Sequence, residues 1–157
     1  MCFKQTMPAV QRCKLQQKRW SYGRDRTGAR RYKAWATTTY GGEASNLIRE
    51  AKAAETAGEP GIACDRYAAC LKLVQAKGGA HQKHRPATAA LARRAAGACE
   101  DAAAAAADLD ARARRDQAEE LWRAAVVATP PGDTQRGTAL DRLASLARDR
   151  VASEPLL

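Results

Sequence analysis

The sequence predicts an all-α protein of four to five helices in antiparallel hairpins, behind an extended basic N-terminal arm. Three observations predict it. Apolar residues after residue 43 recur at helical steps of three and four. Glycine and proline punctuate that pattern where helices should stop and start. Charge divides sharply along the chain. Residues 1–40 hold ten Lys and Arg against one acid, Asp25, a net of +9. Of the chain's 27 bases and 17 acids, this leaves 17 bases and 16 acids for residues 41–157, a net of +1. We therefore divide the chain into an arm, residues 1–43, and a helical hairpin domain, residues 44–157.

The arm comes first. Gly23, Gly28, Gly41 and Gly42 interrupt it, and its apolar residues keep neither a helical nor a strand period. Such a segment cannot build its own core and is expected to order only against a partner. Cations and aromatic rings alternate along it: Lys14, Lys18, Arg19, Trp20 and Tyr22, then Arg24, Arg26, Arg30, Arg31, Tyr32, Lys33 and Trp35. Cations neutralise phosphates, and rings and guanidinium planes stack on unpaired bases. These residues are the candidate contacts to ribosomal or other structured RNA. The same composition also suits a clamp on a protein surface with aromatic anchors, a contact with acidic lipid headgroups, or an uncleaved mitochondrial import signal.

The helices follow in order. The first is expected from about Ala44 to Ala57, on Leu47, Ile48, Ala51 and Ala54, with Gly58 as its stop. Pro60 suits the first turn of the second, whose stripe is Ala63, Tyr67, Cys70, Leu71 and Val74. Gly78 and Gly79 end it, and a loop with His81 and His84 leads to Pro86. From Ala87 to about Ala128 only Gly97 interrupts the pattern. One helix of roughly 40 residues, or two with a bend near Asp108 to Asp116, fit equally well. Leu91, Ala95, Ala98, Ala102 and Leu109 line the first part, and Ala118, Leu121, Trp122, Ala125 and Val126 the second. Thr129-Pro130-Pro131-Gly132 ends the run. Asp133 or Thr134 should cap the last helix, with Leu140, Leu143, Ala147 and Val151 as its apolar face and Pro155 as its end.

Apolar residues make up 45% of the chain, but many are alanine and only 5% of the chain is aromatic. At roughly 25 cal/mol per Å² of buried apolar surface, alanine stabilises little. Thin, closely packed helical layers suit such a composition. No run approaches the ~18 apolar residues of a membrane span. No apolar segment near Met1 resembles a secretory signal, so the chain is expected not to be secreted. Five cysteines, an odd number without a CxxC, suggest free structural thiols in a reducing compartment.

No catalytic constellation stands out, and no cofactor or metal is expected. His81-x-x-His84 supplies only half of a zinc ligand set. Cys64 and Cys70 fall on different sides of their helix, and nothing in the sequence brings His84 to Cys99. Glu119, Glu120 and Asp141 read as solvated helix faces. Gly41-Gly42 lacks the rest of a phosphate loop.

The set Ala51, Ala54, Gly58, Ala63, Tyr67, Cys70 and Leu71 resembles a tetratricopeptide repeat, in which small residues let two helices approach and the tyrosine fills the gap between hairpins. Ala118, Trp122, Ala125 and Pro130 are similar to the second half of such a repeat, and Leu140 and Leu143 to the start of a capping helix. The first three helices also resemble a microtubule-interacting-and-trafficking domain, a three-helix bundle. Both resemblances imply a non-catalytic body that binds peptides or helices in grooves. They make Ala51, Ala54, Gly58, Ala63, Tyr67, Leu71, Trp122, Leu140 and Leu143 the candidate packing set.

The expectation is therefore a structural subunit of a large assembly, foremost a ribosomal protein and in particular a mitochondrial one. Its arm would contact ribosomal RNA and its body protein neighbours. Two alternatives are an accessory subunit of a mitochondrial membrane-protein complex, with the arm threading between subunits, and a helical peptide-binding adaptor. A cytoplasmic location is the alternative to the mitochondrion.

Overall fold

The computed structural model describes residues 41–78 and 85–153, and five helices account for nearly all of them. They are α1 (41–57), α2 (Pro60–Ala76), α3 (Arg85–Ala105), α4 (Asp108–Ala128) and α5 (Thr134–Ser153). No strand occurs among the described residues, so the all-α expectation holds. The candidate RNA-contact residues of the arm, His81, His84 and Pro155 lie outside the described residues. The first helical segment already includes residues 41–43, which the sequence reading gave to the arm. Gly41 takes a φ of +77°, which glycine adopts freely, Gly42 costs the helix only about 1 kcal/mol, and the buried Ala44 and Ile48 hold the segment in place.

The first hairpin turns where the glycine and proline signals placed it. Gly58 takes a φ of +75°. Its N–H reaches the Glu55 carbonyl at 3.2 Å, and the Glu59 N–H reaches the Ala54 carbonyl at 2.9 Å. This pair of bonds satisfies the last carbonyls of α1 in a Schellman motif. Pro60 opens α2, where its missing N–H is no loss.

The long alanine-rich stretch is two helices, not one. The chain breaks at Ala106 and Ala107, ahead of the region where a bend was expected, and α4 folds back along α3. Alanine carries no stop signal, so the break is tertiary in origin. Ala118, Leu121, Trp122 and Ala125 need α3 as a surface to cover them. Asp108 enters α4 with a φ of +41°, a conformation that aspartate tolerates better than most residues. Beyond α4, Asp133 caps α5 by accepting the Gln135 N–H at 2.9 Å.

One core joins the helices. Its largest fully buried side chains are Tyr67, Ile48, Leu91 and Val74, and alanines from every helix fill most of the remainder. Ala51, Ala54, Ala63, Tyr67, Leu71 and Trp122 are buried. Leu143 is half-buried against the core, while Gly58 stands at the exposed turn. Four apolar expectations are corrected, Ala147 among them. Leu109 is 83% exposed, Val151 73% and Leu140 48%. Leu109 lies in the first turn of α4, outside its contact with α3. α5 rests on the body through Ala139, Leu143 and Leu146. That choice turns Leu140, Ala147 and Val151 outward.

The cysteines differ from expectation as well. Cys64 on α2 and Cys99 on α3 form a disulfide that spans 35 residues of sequence. Alanine-rich helices approach closely enough to bring the two Cα atoms to 4.7 Å, within the range a disulfide requires. Cys70 is a buried free thiol on the other side of α2, with its Sγ 3.7 Å from the Ala44 carbonyl. Among the described cysteines, the reading of free thiols therefore holds for Cys70 alone.

Candidate functional site: interhelical grooves

Charged side chains join each helix to the next but one. Arg94 on α3 donates to Glu55 on α1 at 2.6 Å. Arg114 on α4 meets Asp65 on α2 through both guanidinium nitrogens, one of them at 3.2 Å. Glu100 on α3 accepts the indole N–H of Trp122 on α4 and lies 3.6 Å from Arg142 on α5. These links tie the helices together, and grooves lie between them among the described residues.

The first groove lies where the α1–α2 turn meets α3. Glu55, Gly58, Pro60, Ala63, Arg94, Ala98 and Asp101 enclose about 480 Å³. Tyr67, buried nearby, bonds to its lining. The phenol donates to Glu55 at 3.2 Å, and the Arg94 guanidinium stands 6.0 Å from the ring centroid. Burial alone would lower the Arg94 pKa, but hydrogen bonds to Tyr67 and Glu55 outweigh it and raise the value. The cation is thus held charged, rigid and already partnered. Small residues at Gly58, Ala63 and Ala98 keep the groove open beside it.

The second groove runs between α3, α4 and α5. Two adjoining hollows of about 290 Å³ and 440 Å³ share Asp108, Arg115 and Leu146. Glu100, Asp108, Asp116, Glu119 and Asp149 supply five carboxylates to the lining, against three guanidiniums from Arg112, Arg115 and Arg150. Glu119 is buried, not the solvated residue its sequence context suggested. It binds Arg123 one turn along α4 and accepts from Arg150 of α5 at 2.5 Å. Arg150 also donates to Asp116 at 2.7 Å. Burying a carboxylate is tolerated only with such partners, and here they fasten α5 to α4.

Beside the disulfide, Arg114 Nη1 lies 3.4 Å from Cys64 Sγ and 3.3 Å from Gln117 Oε1. Its pKa is raised, chiefly by the hydrogen bonds to Asp65. Arg93 is the opposite case. Burial lowers its pKa, while Asp133 acts to raise it. Its Nη1 donates to the Thr129 hydroxyl at 3.3 Å.

The structure thus brings together Ala51, Ala54, Ala63, Tyr67 and Leu71 in the first hairpin and Trp122 in the second. It does not bring Leu140 to them. Sequence reading missed Glu55, Arg94, Asp65, Arg114, Glu100 and Arg150, because each resembles an ordinary solvated helix charge until its partner 31 to 49 residues away is placed. Among the described residues no cluster of three or more His, Cys, Asp or Glu could hold a metal ion. No described helix is long and apolar enough to cross a membrane. Comparison with models of known protein families, with curated proteins and with solved structures finds no match to this chain.

Proposed function

We propose that the protein is a non-enzymatic structural subunit of a ribonucleoprotein assembly, foremost a mitochondrial ribosome. Its helical body packs against protein neighbours, and its arm lies along structured RNA. One observation carries this reading: the two regions hold their charge differently. The body's 17 bases and 15 acids nearly cancel, and many are tied up between helices. The arm, residues 1–43, holds ten bases against Asp25 and Glu43, a net of +8 with no such internal match. A polyanion is attracted to the arm far more than to the body.

The test is binding of the full chain to structured RNA across a salt series. Arm contacts to several phosphates give log affinity falling linearly with log salt, at roughly 0.7 to 0.9 per phosphate contact. Arg30→Ala with Arg31→Ala should flatten that slope by about 2. Trp35→Ala should weaken binding by about 1–3 kcal/mol if the ring stacks on a base, with the slope unchanged. RNA binding that ignores all three substitutions overturns the reading.

A second reading is a tetratricopeptide-like adaptor. Two consecutive hairpins followed by a single helix favour it over a three-helix trafficking domain, because α3 is answered by α4 and α5. Its ligand would lie in the α3–α4–α5 groove. With five carboxylates against three guanidiniums there, a basic segment suits the groove best. Saturable binding of a basic peptide, lost on Asp149→Lys, would support the adaptor.

A further inference from the structure

The last described helix carries two apolar stripes, and the body uses only one. Ala139, Leu143 and Leu146 face inward. Gly137, Leu140, Ala144, Ala147 and Val151 are all exposed. Their spacing of three, four, three and four is the a/d pattern of a helix pair. At about 100° per residue the exposed stripe lies about 110° around the helix from the buried one, on the neighbouring face. The end of a helical stack normally presents a polar outer face, which keeps it soluble and stops further stacking. α5 instead leaves a second stripe of small and aliphatic residues exposed beside the one the body covers.

The charges beside the stripe identify what covers it. Asp141 and Arg148 are exposed, seven residues apart on the same flank, and neither has a partner among the described residues. The other flank holds Leu143 and Arg150, both already engaged with the body. In an antiparallel pair of identical helices, a flank meets the same flank of its partner. Asp141 then faces Arg148 of the second copy, and Arg148 faces its Asp141. A two-fold interface requires this self-complementarity. The alanines at 144 and 147 allow the helices to approach closely, and Leu140 of each copy lies near Val151 of the other.

We propose that α5 is the interface between two copies of this chain, paired antiparallel about a two-fold axis. The inference does not depend on the RNA reading, since the arm takes no part in it.

The test is sedimentation equilibrium of the full chain from micromolar to sub-millimolar concentration, with circular dichroism to confirm that each variant keeps its helices. The wild type is expected to be a dimer in reversible exchange with monomer. Leu140→Glu should give monomer with unchanged helicity, because Leu140 is 48% exposed and lies outside the packed core. Asp141→Arg places like charges opposite each other at two symmetry-related points and should weaken the dimer about tenfold or more. Asp141→Arg combined with Arg148→Asp restores opposite charges and should restore the dimer. A monomer at every concentration overturns the proposal, as does a dimer indifferent to Leu140→Glu. A charge reversal that the double swap fails to rescue overturns the antiparallel pairing.

Discussion

Cys70 shows how burial changes the chemistry of a single residue. It is fully enclosed between α2 and α1, and burial pushes its thiol from an ordinary pKa of 9.0 up to about 11. The folded protein therefore keeps the proton at pH values where the unfolded chain has released it. A raised folded pKa gives a stabilisation that is complete below pH 9 and is lost as pH climbs toward 11. Other groups also titrate there, so the useful quantity is the difference in unfolding free energy between wild type and Cys70→Ala. That difference should be constant below pH 9 and should shrink toward pH 11. Chemical denaturation at a series of pH values measures it, and a difference that stays flat through this window contradicts the burial argument. Arg94 and Arg114 need no such test. Their raised values only reinforce a charge that guanidinium never loses in a protein.

Turns decide the elements, and they differ in how well the sequence announces them. The α1–α2 turn was legible because it is chemically explicit. Gly58 supplies the left-handed residue and Pro60 the first helical position. The α3–α4 turn was only partly so: a bend near Asp108 competed with one long helix, because Ala106 and Ala107 carry no stop signal and only the facing helix forces the chain to reverse. α5 was half legible. Its apolar residues were visible, but two stripes competed, and nothing local says which one faces inward. Glycine gives a sharp test of the first case. No atom lies within 4 Å of a Cβ built on Gly58, so Gly58→Ala should cost only the left-handed backbone, roughly 1–2 kcal/mol. Gly97 lies within α3 and has the same open space without a positive φ. Gly97→Ala should stabilise by about 0.5–1 kcal/mol. Thermal melts should therefore move in opposite directions for the same substitution. A destabilised Gly97→Ala would mean that α3 packs more tightly there than its open space indicates.

For the whole molecule, the question is how so thin a core holds five helices together. Alanine contributes little buried area, and isolated ion pairs at a surface are worth about 0–1 kcal/mol each. What remains is connectivity. The links from α1 to α3, α2 to α4 and α3 to α5 tie every helix to one that is not its neighbour in sequence, and a single sequence does not reveal them because their partners lie far apart along the chain. The disulfide adds a covalent link of the same kind, joining the first hairpin to the second. By chain entropy, closing a 35-residue loop stabilises by about 4 kcal/mol, nearly all of it by restricting the unfolded chain. The folded surroundings of Cys64 can survive its reduction. A free thiol there has Gln117 Oε1 at 3.4 Å as an acceptor, and Arg114 beside it. A dithiol reductant should therefore leave the helical circular dichroism intact at room temperature while lowering Tm by roughly 10 °C. Cys64→Ala with Cys99→Ala should reproduce the reduced Tm and remove its response to reductant. Should the oxidised and reduced proteins melt together, the two hairpins are held by packing and charge alone, and the link between Cys64 and Cys99 contributes nothing to the fold.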